Sequence, residues 1–521
     1  MKNRILFFTL ILGLLSCVQE KDRPQGVTEK KVRDYAQTTE IPAGILTPDV
    51  VETSLGTLQF RDGVPDQKTA SLVYENLDRM RAVDVFLKCM PAASIRHLML
   101  GPEAIGTNAL NKVLIFEELM DSKPLYLTGN TSTLYTFPHL NLKETGPTVL
   151  EVPPGMLGAF NDAWFRYVQD IGPFGQDKGM GGKYLVLPPG YDGEIPEGYF
   201  IVHSPSFRIF PFMRSSIAKG LDAAVANIKE NLKIYPLSQK DNPPVMEYVN
   251  GSGQSFNTIH DNDIRFYYTV NEVIQEEPLD LIDPETRGLL ASIGIEKGRP
   301  FQPDERMTRI LTDAVAIANA TARSIVWYPR VEGFIDNMKG TMIYPEDNSA
   351  WHMAWVDKNV FFTGKDGHTI NSDARVMFFY PYTAVTPAMA VTIPGKGSDG
   401  AMAFVDANKQ PFDGAKLYKI NIPPDPPAQD FWALTIYDSQ TRSQLQTDQK
   451  FPSVGSQTQG LRMNDDGSYD IYFGPEAPEG FENNWLQTIP GKSWFVILRM
   501  YGPLEPWINK TWRPGEIEMV K

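Results

Sequence analysis

The final ninety residues constrain the fold most, because apolar side chains there recur at the period of a β-strand rather than of a helix. In Phe431 to Asp438 (FWALTIYD), Trp432, Leu434 and Ile436 fall on one face and Thr435 and Tyr437 on the other. A second run, Ser468 to Phe473, follows the turn signal Asn464-Asp465-Asp466-Gly467 and reads as a hairpin arm. The third, Trp494 to Gly502 (WFVILRMYG), is apolar on both faces until Arg499 and Tyr501 make one face polar. That pattern predicts a doubly covered strand whose polar end reaches the rim of a sandwich or barrel.

The chain has 521 residues, long for one core, and at roughly 100–200 residues per domain two to four domains are expected. Its opposite end reads as a processing signal. Lys2 and Arg4 form a basic start, Ile5 to Leu15 an apolar run too short to span a membrane, and Leu14-Leu15-Ser16-Cys17 resembles a bacterial lipobox. Cleavage before Cys17 would leave a lipid on its sulfur and tether the protein to an envelope membrane, on the periplasmic or cell-surface face. Cys89 would then be the one remaining cysteine, so no internal disulfide could form, and its apolar neighbours Leu87 and Met90 predict a buried thiol. Without Lys2 and Arg4 the formal net charge moves from -14 to -16. Such acidity excludes the basic footprint on which nucleic-acid binding depends.

Further along, Val51 to Phe60 alternates around Gly56 as a short hairpin, Thr69 to Met90 has helical spacing, and a second helix is expected over Asn108 to Met120. Leu125 to Thr128, Thr148 to Pro153 and Gly182 to Pro188 read as strands and Leu221 to Leu232 as an amphipathic helix. Two more helices are predicted over Asn262 to Glu277 and Pro303 to Ile325, the second carrying the stripe Met307, Ile310, Leu311, Ala314, Val315 and Ala318. An internal echo links KYLVLPP with its return YFIV, from Lys183, to KLYKINIPP with its return FWAL, from Lys416. It predicts a similar antiparallel sandwich in each half, and unlike strand order would refute it.

Several strings carry a family resemblance. DSQTRSQLQTDQKFPSVGSQ from Asp438, FGPEAPEGFENNWLQTIPGKSWFVILRMYGPLEPW from Phe473 and KTWRPGEIE from Lys510 resemble the C-terminal half of a two-domain bacterial exported family, domain of unknown function 1214. The stretch from Glu151 to Arg214, clearest in DKGMGGKYLVLPPGYDGEIPEGYF, resembles its usual partner, domain of unknown function 1254. Asn130 to Tyr135 resembles that domain's Asn-x-Asp-Thr-x-Tyr segment, with Ser132 in place of the acid. The resemblance implies architecture and export but no reaction, since the family has no settled activity.

The chain contains no nucleophile elbow, Walker loop, His-Glu-x-x-His or paired Cys-x-x-Cys. Its six histidines, His97, His139, His203, His260, His352 and His368, show no helical metal-ligand spacing, so no metal site is assigned, and the cofactor is unknown. His260 precedes a helix beside Asp261, which could orient an imidazole. The alternative is a solvated ring, with Asn262 or Asp263 capping the helix. Asp162 and Asp170 flank Trp164 and Arg166 and could line a polar cleft, or pair on a surface. Arg442 could grip a substrate carboxylate or pair with Asp448. Trp485, among Asn483, Asn484 and Gln487, reads as a loop aromatic that either stacks on a sugar or plugs the end of a sandwich.

The expectation is thus an α+β, mainly β fold, with two antiparallel jelly-roll-like β-sandwiches joined by a helical segment. The divisions are residues 1–16 signal, 17–40 linker, 41–240 N-terminal domain, 241–335 helical connection and 336–521 C-terminal domain. The expected function is an envelope lipoprotein binding a small molecule or glycan through Asn130, Tyr135, Trp164, Arg166, Asn484 and Trp485. The alternatives are a hydrolase or lyase drawing on Asp162, Asp170, His260, Arg442 and Arg499, and a structural or assembly partner. Oligomeric state is not specified by these features.

Overall fold

Helix (27%) and strand (26%) occur in near-equal measure, so the computed structural model is mixed α/β with several sheets rather than mainly β, and no barrel closes. It describes residues 39–330, 341–355, 358–363 and 367–520. The signal segment, Cys17 and nearly all of the linker lie outside them, as do residues 331–340 of the aromatic-rich stretch. No helix among the described residues is long and apolar enough to cross a membrane.

The chain divides into two compact units, ending and beginning at Arg79 and Met80. The first holds an antiparallel three-stranded meander, Val50–Thr53, Gly56–Arg61 and Val64–Pro65, as the alternation around Gly56 predicts. The principal helices are α1 (Gln67–Glu103), α2 (Leu221–Asn231), α3 (Arg265–Glu276), α4 (Pro284–Ala291), α5 (Glu305–Trp327) and α6 (Ser372–Phe379). Asp283 and Asp304 cap α4 and α5 by accepting the N–H of Thr286 and Met307, satisfying donors that the first helical turn cannot satisfy itself.

In the second unit the earlier half holds two sheets. One runs in the order Phe200–His203, Gly182–Leu187, Thr148–Val152, Lys233–Pro236; the other Glu247–Asn250, Lys112–Ile115, Leu134–Phe137, Arg208–Ser215, Met156–Asp162, Tyr167–Ile171. Their facing side chains, among them Val113, Leu134, Val152, Phe160, Val186 and Met213, form one apolar core. The helix expected over Asn108 to Met120 is instead a strand. Val113, Leu114 and Ile115 are buried on both faces between two neighbouring strands, and Leu110, Leu119 and Met120, which supplied the helical spacing, lie outside it. Leu125 to Thr128 makes an isolated bridge to Asn257 rather than a strand.

The later half also has two sheets. The larger follows Trp351–His352, Ser398–Ala403, Trp494–Pro503, Ala428–Asp438, Ser453–Gly455, and the smaller Trp485–Gln487, Tyr469–Gly474, Tyr418–Ile422, Glu518–Met519. Trp432, Leu434 and Ile436 face inward with Trp494, Val496 and Leu498 of the adjacent strand, over Ile420, Ile471 and Phe473. The opposite face, with Tyr437, Phe495 and Ile497, packs against a helical layer that includes α3, α5 and α6 and also covers Tyr135, Phe137 and Phe212 of the earlier half. The strand from Trp494 is therefore buried end to end. Arg499 and Tyr501 turn towards the other half of the unit, not to an open rim.

The paired-sandwich echo fails. Gly182–Leu187 and Phe200–His203 lie side by side and parallel in one sheet, whereas Tyr418–Ile422 and Ala428–Asp438 belong to different sheets. Parallel pairs also join Glu247–Asn250 to Lys112–Ile115 and Tyr469–Gly474 to Trp485–Gln487, so neither half is purely antiparallel. A Pro-Pro stop ends a strand but fixes neither the direction of the next strand nor the sheet that receives it.

Candidate functional site

The segment Asn130 to Tyr135 meets the later half along a buried polar seam. Asn130 Oδ1 accepts the N–H groups of Ser132 (2.9 Å) and Thr133 (3.0 Å), and Asn130 Nδ2 donates to Tyr135 Oη (2.6 Å). Across the seam, Arg499 donates to Tyr437 Oη (2.6 Å) and to the Thr128 carbonyl (2.7 Å), and Tyr437 donates to the Gly129 carbonyl (2.9 Å). The N–H of Thr128 donates to the Arg442 carbonyl at 2.9 Å. Both residues hold left-handed backbone conformations, φ 45° and 61°, which side chains with a Cβ adopt at a cost that the seam contacts must offset.

Arg442 is buried. Its guanidinium lies 4.2 Å from the Tyr380 ring and donates to the Tyr380 and Gln440 carbonyls, while Nη2 has no partner among the described residues. The alternative pairing with Asp448 is not formed, because Asp448 lies in a bend and accepts Gln487 Nε2 of the smaller sheet. His260 is buried too, not solvated. Its Nδ1 lies 3.0 Å from the Asp261 carbonyl, its ring stands edge-on to Phe86 and Phe266, and Nε2 has no partner. Burial, with Arg442 nearby, pushes the imidazole down to about 3.

Asp162, Trp164 and Arg166 form a separate site. Asp162 Oδ1 accepts the N–H groups of Trp164 (2.8 Å) and Arg166 (2.9 Å), and Oδ2 accepts Arg166 Nε (2.7 Å). The carboxylate therefore ties a tight turn closed around Phe165, whose φ is 57°. That turn presents Trp164 to a pocket of about 430 Å³ between α3 and α4, walled by Val273, Leu281, Ile282, Leu290 and Ile295. Behind Pro278 and Leu281 a more open groove of about 800 Å³ carries Asp162, Arg166, Tyr167 and Phe207.

Three polar side chains hold the pocket wall. Glu277 accepts the N–H groups of Phe207 (2.6 Å) and Arg208 (3.0 Å), and burial pushes its carboxyl up to about 7. Lys297 donates to the Ile274, Gln275 and Glu277 carbonyls and so neutralises the C-terminal end of α3. Arg287 donates to the Leu279 and Ile282 carbonyls.

The remaining candidates stand apart. Asp170 accepts from Thr386 Oγ1 (2.6 Å) and Tyr167 Oη (3.2 Å). Asn484 is buried and bonds the backbones of Arg462 and Asp470. Trp485 is half-buried on a strand rather than in a loop, and its Nε1 donates to the Gly474 carbonyl at 2.8 Å. Asp162 opens on the groove and Arg499 on a different cavity, so these carboxylate and guanidinium candidates do not share one pocket.

One arrangement escaped sequence reasoning. A polar pocket of about 240 Å³ is lined by Glu103, Asn108, His139, Asn141, Glu144 and Arg208. His139 Nε2 lies 3.6 Å from Glu103, and Arg208 is held by a bidentate pair with Glu276. Burial pushes His139 down to about 4 and raises Glu103. Glu103 ends a helix and His139 precedes a short strand, so nothing in their spacing announces the pair. Among the described residues no three His, Cys, Asp or Glu side chains gather as a metal site.

Residues 110–236 of this chain match the family model described as protein of unknown function (DUF1254), and residues 399–505 match the one described as protein of unknown function (DUF1214). The seam thus joins the first family domain to the second. Among solved structures it is similar to the VPA0106 protein of Vibrio parahaemolyticus, at 17% identity and a TM-score of 0.49, covering 85% of this chain and all of that one. It is also similar to an uncharacterised protein of Burkholderia cenocepacia, at 11% identity and a TM-score of 0.35, covering 87% and 97%. No curated protein matches.

Proposed function

We propose that the protein is an envelope lipoprotein that binds a small, mainly apolar molecule with a polar or anionic head in the pocket between α3 and α4. The observation that carries this reading is the pocket itself: about 430 Å³, within the usual range for small-molecule sites, apolar over most of its wall, with Arg287 and Lys297 among its few polar groups. A glycan is less well matched, because Trp485 is engaged in a sheet and Trp164 is the one indole on this wall.

The amphipathic probe 8-anilinonaphthalene-1-sulfonate is expected to bind the folded protein saturably. Ala291→Trp, at the exposed mouth, is expected to weaken that binding by at least ~10-fold. Unchanged affinity in a folded variant would remove the pocket from consideration. The same cells report on the tether: Cys17→Ser is expected to move the protein from the membrane to the soluble fraction, and unaltered partitioning would exclude lipid at that residue.

A second reading, a hydrolase or lyase acting on an envelope glycan or ester, is favoured by the Glu103 and His139 pair in its polar pocket. The imidazole and the carboxyl lie 3.6 Å apart in a polar pocket, the separation at which a proton could pass between a carboxyl and a ring nitrogen. On a nitrophenyl ester or glycoside panel, Glu103→Gln is expected to lower kcat by roughly 100-fold or more. Absence of turnover by the unmodified protein would retire the enzyme.

A further inference from the structure

Two guanidinium groups flank the tyrosine cluster of the seam, and among the described residues no carboxylate is bonded to either. Arg499 is 6% exposed and makes two hydrogen bonds, to Tyr437 Oη and the Thr128 carbonyl, so three of its five N–H groups have no protein acceptor among the described residues. Arg214 approaches the Ser398 hydroxyl at 3.5 Å and forms no ion pair among the described residues. Both groups act on the hydroxyls of Tyr135 and Tyr501, which places the two charges around one cluster. Tyr501 Oη is itself buried without a well-formed hydrogen bond, although the Ser132 hydroxyl lies beside it.

A cavity of about 30 Å³ adjoins this cluster, lined by Arg499, Tyr382, Ser398, Asp399 and Gly400. That is room for roughly one or two water-sized spheres. Asp399 does not serve as the missing counter-ion. Its oxygens accept from Thr392, Trp507 and the Gly400 N–H, and Lys358 stands 3.6 Å away to answer its charge. A buried guanidinium without a counter-charge costs several kcal/mol, and a charge in that position is normally paired. Ser132, whose hydroxyl lies beside Tyr501, is neutral, so this segment supplies no charge to the cluster.

The geometry points to a small monoanion, a halide or a carboxylate no larger than formate, bound in the seam cavity against Arg499 as the counter-charge that Ser132 does not provide. The site is independent of the pocket between α3 and α4. The cavity wall comes from the later half alone, and a charge bound there would answer a cluster to which Tyr135 and Arg214 of the earlier half also contribute.

The test measures the thermal midpoint of the purified protein in gluconate, which is too large for the cavity, with chloride or formate replacing it at constant ionic strength. The midpoint is expected to rise saturably, on the order of 3 °C, with whichever ion fits. A response to chloride alone identifies a halide site and a response to formate a carboxylate site. Ser132→Asp is expected to abolish the response by placing a carboxylate beside the cluster, whereas Ser132→Ala keeps it. Bromide soaked into crystals gives a readout free of stability effects, with its anomalous peak expected against the Arg499 guanidinium. Identical midpoints in all three anions, or a Ser132→Asp variant that responds like the unmodified chain, would overturn the assignment. So would a bromide map empty at that position.

Discussion

Acidification from pH 7 to pH 5 is expected to destabilise the fold by ~3 kcal/mol. Burial lowers His139 and His352 to about 4 and His260 to about 3, from an ordinary value of 6.5. The unfolded chain therefore binds protons at these positions that the native state refuses, and stability falls as pH drops through 6.5 towards 4. Each histidine contributes on the order of 2 kcal/mol, or slightly less, between pH 7 and pH 5. Glu277 opposes them. Its carboxyl, pushed up to about 7, takes a proton in the native state before the unfolded one does, returning ~2 kcal/mol as pH falls to 5. Urea titrations at pH 7, 6 and 5 measure the balance. His260→Phe should remove about a third of the histidine contribution, because its ring sits among Phe86 and Phe266 with only one polar contact. Stability independent of pH over this range would show that these rings reach water.

Trp494→Ala is expected to cost about 3–5 kcal/mol, the upper range for removing a buried aromatic side chain. The indole is fully buried, stacked 4.1 Å from the Phe412 ring and 4.8 Å from Phe473, and edge-on to Tyr418. Its Nε1 has no hydrogen-bond partner. Trp494→Phe should therefore be far milder, since it retains much of the ring contact and removes an unsatisfied donor. Denaturant midpoints at constant slope separate the two substitutions. Equal losses would indicate that a water or an undetected acceptor holds the indole N–H.

The C-terminal sheet was legible because its signal is local. Alternating Trp432, Leu434 and Ile436 need only one strand to be read, and they do line a core with Trp494, Val496 and Leu498. Capped helices such as α5 were legible for the same reason. Asn108 to Met120 was misread because loop residues on either side of a short buried strand imitate a helical stripe. Sheet membership was beyond reach, as the failed echo shows, because two similar local turns deliver their strands to different partners. The site followed the same division. Asn130, Tyr135 and Arg499 could each be named, but not that Arg499 would bond the Thr128 carbonyl, a juxtaposition created by long-range packing. Trp485 looked like a loop aromatic because its amide-rich neighbours resemble turn chemistry, yet its strand is completed by a parallel partner elsewhere in the chain. Glu103 and His139 carried no pattern at all.

The bonds across the seam have a consequence for how such chains can change. Tyr437 and Gln444 donate to the Gly129 carbonyl, Asn161 exchanges two bonds with Val385, and Thr386 donates to Asp170, so each half of the unit completes the other's hydrogen bonding. A domain exchanged by recombination would arrive with donors and acceptors matched to a partner left behind. Only a donor from a lineage with the same mating face could be accepted, and the pair is therefore expected to travel as one hereditary block.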